Sequence, residues 1–211
     1  MRRFLFPFLC LTVVVAALAW SGINPRDRFT WWLEIAPVLV ALPVLVLTFR
    51  TFRLTDLLYG LLAAHMIILI VGGHYTYAEV PLFNWLRDVL HGSRNSYDGV
   101  GHFAQGFVPA ILVRELLLRT SPLRPGKWLF AIVVFSCLGI SAAYELVEWA
   151  VAVVTGGDGA ADFLGTQGDI WDTQKDMALA GLGAILALVS LGRAHDRALI
   201  FLSPWGRGRE G

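Results

Sequence analysis

Charge is scarce in this sequence: 16% of its 211 residues are Asp, Glu, Lys or Arg, while 56% are hydrophobic. Soluble domains carry about 25% charged and about 45–50% apolar residues. An aqueous fold would leave apolar surface with nothing to cover it, so membrane lipid is the partner the composition requires. The formal net charge of +1 supplies no basic field of the kind that attracts nucleic acid, and no nucleic-acid partner is expected. Cysteine is nearly absent. Cys10 and Cys137 both fall within apolar runs and neither has a CxxC neighbour, which excludes a disulfide framework and leaves them as small apolar side chains. There is no HExxH, ExxH or GxSxG motif, so the common zinc-protease and serine-hydrolase signatures are missing. No internal repeat, low-complexity linker or separate soluble domain is visible.

What is present is a series of long apolar runs, with a mean hydropathy of +0.63. A helix needs about 20 mostly apolar residues to cross about 30 Å of hydrocarbon. Six stretches come close: 4–20, 31–49, 54–74, 102–118, 128–154 and 177–191. The fold expected is an all-α polytopic transmembrane bundle of about six helices, forming one integral membrane domain over 1–211. Positive charge favours cytoplasmic loops. With the N-terminus inside, eleven Lys and Arg residues fall in cytoplasmic segments (Arg2, Arg3, Arg50, Arg53, Arg119, Arg124, Lys127, Arg193, Arg197, Arg207 and Arg209), against five outside (Arg26, Arg28, Arg87, Arg94 and Lys175). The expectation is a multi-pass inner-membrane protein with both termini cytoplasmic. A rival reading of the first stretch is a signal peptide, with Arg2 and Arg3 before a short apolar run and Ala17-Leu18-Ala19 as a cleavage site. Cleavage there would leave five helices in the same orientation.

Pro37 and Pro43 predict a kinked second helix, with Trp31 and Trp32 at the interface of its outer end. In the outer loop, Leu82, Trp85, Leu86, Val89 and Leu90 follow helical i, i+3, i+4, i+7, i+8 spacing. Asn84, Arg87, Asp88 and His91 take the other face, and Pro81 suits the first turn. This predicts a short interfacial helix, either an anchoring flap or a lid over a site. The loop over 155–175 is rich in glycine (Gly156, Gly157, Gly159, Gly165 and Gly168) and in aspartate (Asp158, Asp162, Asp169 and Asp172).

Ionisable groups inside membrane segments are costly and usually face a cavity or a partner. Here they gather at one end. Asp98, His102 and Gln105 share a face at the outer start of helix four; Glu145 and Glu148 are i, i+3 neighbours near the outer end of helix five; Asp169, Asp172 and Asp176 precede helix six. They share a face if that helix starts early. His74 ends helix three on the same side. So many carboxylates require protonation, a cation such as Arg94, or a divalent metal with His102 as its nitrogen ligand. A histidine with carboxylates suits Zn, Fe or Mn, and oxygen-only sets suit Mg or Ca. Structural readings stand beside these: His65 as an interhelical hydrogen bond, Glu145 stapled to Arg94, and Asp172 and Asp176 capping helix six. Arg114 and Glu115, toward the cytoplasmic end, read as structural, with Arg114 pairing to a carboxylate such as Asp56.

Four blocks carry a resemblance: Arg94-Asn95-Ser96-Tyr97-Asp98; Gly101-His102-Phe103-Ala104-Gln105-Gly106-Phe107; Tyr144-Glu145-Leu146-Val147-Glu148-Trp149; and Phe163-Leu164-Gly165-Thr166-Gln167-Gly168-Asp169-Ile170-Trp171-Asp172-Thr173-Gln174, followed by Asp176-Met177. On these the chain resembles the YjdF-like family of bacterial inner-membrane proteins, a family of unknown function. Gly99 stands where that pattern has a basic residue after Tyr-Asp, which removes one charge partner. A weaker similarity is to the VanZ-like membrane proteins. The candidate catalytic groups are His102, Glu145, Glu148, Asp172 and Asp176, and the candidate metal ligands are His102, Glu148, Asp172 and Asp176. Arg94, Asn95, Tyr97, Asp98, Gln105, Gln167, Asp169 and Gln174 are candidate binding residues. Three functions compete: a metal- or acid–base-dependent enzyme acting on a lipid or envelope precursor, with Asp98 orienting His102; a small transporter or ion-binding protein; and a structural or accessory membrane protein.

Overall fold

Side-chain caps set where two of the long helices begin. Asp27 accepts from the Thr30 amide at 2.6 Å and opens α2 (Arg28–Thr48), and Thr55 accepts from the Leu58 amide at 3.3 Å and opens α3 (Asp56–Tyr75). The computed structural model describes residues 2–155 and 167–202, apart from the side chains of Arg2 and Arg3. The remaining elements are α1 (Arg2–Ser21), a 3-10 turn (Tyr77–Glu79), α4 (Pro81–Val89), α5 (Tyr97–Thr120), α6 (Lys127–Thr155) and α7 (Asp172–Leu202). Gly156, Gly157, Gly159, Gly165, Asp158, Asp162, the 163–166 part of the fourth sequence block, Arg207 and Arg209 lie outside the described residues.

The described residues are helical with no strand, as a polytopic bundle requires. Five helices, α1, α2, α3, α6 and α7, are long and apolar enough to cross a membrane. The sixth, α5, has 24 residues, about 36 Å at 1.5 Å per residue, but is too polar to stand in lipid alone. It does not need to. α5 packs against α3, α6 and α7, and α1 and α2 also pack against α3. Asp98, His102, Arg114 and Glu115 are all buried against these neighbours.

The apolar stretches stopped at the first charged residues, so they understate two helices. α5 begins at Tyr97 rather than 102, and α7 runs from Asp172 to Leu202 rather than over 177–191. Interhelical partners satisfy the polar groups at these ends, so helix continues through them. Trp31 also departs from expectation. It is buried and donates to Ser21 Oγ at 3.1 Å, while Trp32 is exposed.

α5 and α7 cross at backbone contact. A Cβ on Gly106 would lie 1.8 Å from the Ala180 carbonyl oxygen, and one on Gly183 would lie 2.2 Å from the Phe103 carbonyl oxygen. Small residues at membrane helix interfaces permit such approach. This crossing places the first turns of α5 and α7 side by side.

The opposite end of the bundle holds a second buried polar network. Glu115, fully buried, accepts from the Thr55 amide (3.0 Å) and hydroxyl (2.8 Å) and from Arg119 (2.8 Å), and lies 3.0 Å from His195 Nε2. Arg114 donates to His195 Nδ1 at 2.7 Å and to Asp196 at 2.6 Å. A guanidinium has no lone pair to offer, so Nδ1 accepts and Nε2–H donates to Glu115. Arg114 therefore reaches α7, and Asp56 pairs with Arg53 instead; the Arg114–Asp56 pairing read from the sequence is corrected. We expect Glu115→Ala to destabilise the protein by about 3–5 kcal/mol, because it strands buried partners. Thermal unfolding in detergent checks this; an unchanged midpoint would show that the network bears no weight.

Between the two polar ends lies an apolar layer that includes Leu58, Tyr59, Ala110, Ile111, Val133, Cys137, Ala184 and Ala187.

Candidate functional site

The site starts with the segment that leads into α5. Asn95 is fully buried and every polar group on it is engaged. Its side-chain amide donates to Val80 O (3.1 Å) and Asn84 Oδ1 (2.9 Å), and its Oδ1 accepts from the Tyr97 amide (3.0 Å). Its backbone N–H and C=O both bond to the Gln167 carboxamide at 2.9 Å. Gln167 holds a left-handed φ of 46°, an uncommon conformation for a residue with a Cβ. Tyr97 is anchored through its hydroxyl to Ile68 O at 2.8 Å. These bonds tie the start of α5 to α3, to α4 and to the approach to α7.

α4 forms over 81–89, where the sequence period placed it. Its apolar residues Leu82, Trp85 and Val89 are exposed, while Asn84 on the other face holds Asn95 and Glu79. An exposed apolar face on a membrane protein fits an interfacial helix.

Arg94 gathers carboxylates. It donates to Asp172 and Asp169 and lies 3.7 Å from Asp98. It does not pair with Glu145, so the Glu145–Arg94 staple is corrected. Asp169, outside the spanning segments, is held below the usual carboxylate range by its hydrogen bonds from the Lys175 ammonium and the Trp171 amide. That contribution is complete above an ordinary aspartate value of 3.8 and is lost as pH falls through the lower folded value. Acidification should release the Trp171 amide from Asp169, and its loss of exchange protection should come at a lower pH in wild type than in Lys175→Gln, which lacks the ammonium that keeps Asp169 ionised.

Behind Arg94 sits His102. Its Nε2 lies 3.4 Å from Asp98 Oδ1 and 4.0 Å from Asp176 Oδ2; its Nδ1 lies 3.1 Å from Gln105 Oε1 and 3.7 Å from Glu145 Oε1. One donor atom from each of Asp98, His102 and Asp176 falls within 4.8 Å of the others. In the tautomer in which Gln105 accepts from Nδ1–H, Nε2 would offer its lone pair on the side of the two aspartates. An outer partner on a histidine fixes its tautomer for metal binding in this way. Glu145 is buried, and its Oε1 has no hydrogen-bond partner.

The structure thus places the site residues in three groups. Asp98, His102 and Asp176 converge, with Gln105 and Glu145 beside them. Asp172 and Asp169 turn to Arg94, while Asn95, Tyr97 and Gln167 build the frame. Glu148 lines a cavity beside His102 that does not include Asp172. Gln174 is exposed on α7. His74 is not part of the site: its Nδ1 lies 3.0 Å from Ser21 O and its ring packs on Trp20.

Sequence reasoning missed Glu34. It is a buried carboxylate on α2 that lines the same cavity with Glu148, Tyr77 and Tyr144. A lone acid in an apolar run beside Pro37 was the available signal. His65 lines this cavity too. Its Nε2 is buried without a partner, which corrects the reading of a satisfied interhelical hydrogen bond.

Residues 6–197 match the family described as Predicted membrane protein (DUF2238). The chain is similar to the inner membrane protein YjdF of Escherichia coli (strain K12), 48% identical over 191 residues, or 90% of each chain. No solved structure matches.

Proposed function

Because the chain belongs to the DUF2238 family of predicted membrane proteins, a name that carries no reaction, we propose from its geometry that it is a metal-dependent membrane enzyme acting on a lipid or envelope precursor. The observation that carries this reading is the convergence of Asp98, His102 and Asp176 within 4.8 Å. The unpartnered Glu145 oxygen beside His102 supports it, since a buried carboxylate oxygen without a donor is costly unless a cation is near. One nitrogen and two carboxylates suit Zn, Fe or Mn. Such an ion polarises a carbonyl or phosphoryl oxygen and lowers the pKa of bound water. Glu145 flanks it as a proton acceptor and donor, Glu148 lines the adjoining cavity where substrate would sit, Gln105 orients His102, and Arg94 with its aspartates closes the rim.

We place the site at the outer face of the inner membrane, with both termini cytoplasmic. The bias of eleven positive charges to five supports this orientation. The apolar layer between the site and the Arg114–His195 network offers no polar route across the described residues, which favours catalysis over transport.

The test is to incubate purified, metal-loaded protein with bilayers made from total envelope lipids and to follow them by lipid mass spectrometry. The expected result is a converted species that Asp176→Asn and Glu148→Gln do not form. Unchanged lipids together with metal uptake into sealed proteoliposomes would reject the enzyme reading and leave a transporter.

A further inference from the structure

The cavity beside His102 has a volume of about 240 Å³, several times the ~30 Å³ share of one water and far larger than an ion needs. Its chemistry is one-sided. Glu34 from α2, Asp98 from α5 and Glu148 from α6 all reach it, and no Lys or Arg lines it among the described residues. Arg94 is committed to Asp169 and Asp172 at the rim, and Arg114 and Arg119 are engaged at the far end of α5. His65 adds a buried Nε2 without a partner. Pro37 and Pro109 also line the cavity. Each leaves the carbonyl four residues earlier without its helical amide donor, on the same side of its helix. The lining therefore sets carboxylates from three helices against the hydroxyls of Tyr77 and Tyr144 and the His102–Gln105 pair, with no Lys or Arg among the described residues. Tyr77 and Tyr144 bring aromatic rings beside the carboxylates, and Leu69 and Ile140 supply an apolar wall.

Buried carboxylates with no cation are prohibitively costly. An ammonium group answers each feature: it carries positive charge, has three donors and no acceptor, and is attracted to aromatic faces. We propose that this cavity binds an organic ammonium group between the Glu34 and Glu148 carboxylates, with its hydrocarbon part against Leu69 and Ile140. The charges then divide: Asp98 and Asp176 serve the metal, and Glu34 and Glu148 serve the ammonium. The inference rests on the proposed function for what becomes of the ligand, but not for whether it binds. The amine can belong to a lipid headgroup or to a free small molecule.

The probe is butylammonium, titrated calorimetrically into the detergent-solubilised full chain, with butanol and butyrate as controls of the same length. Butylammonium should bind at least 10-fold more tightly than either control. Glu34→Gln and Glu148→Gln should each weaken it at least 10-fold while keeping the wild-type melting temperature. Asp176→Asn should lose zinc but retain butylammonium, so failure of the metal reading leaves this one standing. Competition by phosphatidylethanolamine nanodiscs, and not by phosphatidylglycerol nanodiscs, assigns the amine to a lipid; the lack of competition alongside butylammonium binding assigns it to a free molecule. Butanol binding as tightly as butylammonium would overturn the proposal, as would folded protein that binds neither. Should both glutamine variants fail to fold, Tyr144→Leu, which removes an aromatic face and no charge, should still weaken butylammonium more than butanol; equal weakening would also overturn it.

Discussion

His102→Gln protein should fold, keep its place in the bilayer, and bind zinc at least about 100-fold more weakly than wild type. Loss of a partner that merely orients a ligand typically costs 10–100-fold in metal affinity, so loss of the nitrogen ligand sits at or beyond the top of that range. Glutamine is the appropriate replacement because it preserves a polar donor among Asp98, Glu145 and Asp176, which crowd around the ring at 3.4, 3.7 and 4.0 Å. Alanine would leave three carboxylates facing one another and would confuse metal loss with repulsion. Gln105→Leu should fall within the 10–100-fold range, since Gln105 touches only Nδ1. If His102→Gln binds zinc normally, the imidazole is not a ligand. The cluster is then an ion pair of a protonated His102 with Asp98 and Asp176.

The second large effect is structural. Gly183→Val and Gly106→Val should each abolish recovery of folded protein. The added atoms meet backbone, the Phe103 carbonyl at 2.2 Å and the Ala180 carbonyl at 1.8 Å, and backbone cannot rotate away as a side chain can. Overpacking a well-packed core costs about 1–3 kcal/mol, occasionally more. Here two helices must separate along their whole contact, so the cost falls at the high end. Because this crossing aligns Asp98 and His102 with Asp176, even a partly folded product should lose metal. Gly139→Val is the control, because a Cβ there meets nothing within 4 Å. Gel-filtration recovery measures all three, and normal recovery of Gly183→Val would mean that α5 and α7 do not touch at this point.

Much of this architecture can be read from residue order. Helical spacing at Leu82, Trp85, Leu86 and Val89 marks α4 because an interfacial helix shows its period plainly. Asp98 and His102 are legible as partners because i and i+4 share a face. The co-location of α7's aspartates with them follows from antiparallel helices. The ends of α5 and α7 were harder to place. Hydropathy stops where charge begins, yet Tyr97 to Gly101 and Asp172 to Asp176 are helical because Arg94, His102 and their neighbours satisfy them. For the same reason the Arg114–His195–Glu115 network was hidden, as His195 lies beyond the apolar part of α7. The division of labour among the acids was not legible at all. Whether Asp172 faces Arg94 or His102, and whether Glu148 faces the aspartates or the cavity with Glu34, depends on the rotation of each helix about its axis. For α5 and α7 that rotation is set by the contact of Gly106 and Gly183 with opposing backbone, and spacing does not encode it.

In the proposed function Asp98, His102 and Asp176 hold a divalent ion. X-ray absorption at the zinc edge, on wild-type protein loaded with one equivalent, tests it most directly. The expected spectrum is that of a stoichiometric site with one imidazole nitrogen and two carboxylate oxygens at about 2.0–2.2 Å, completed by water. A spectrum of zinc surrounded only by water, or failure to retain one equivalent, would contradict it.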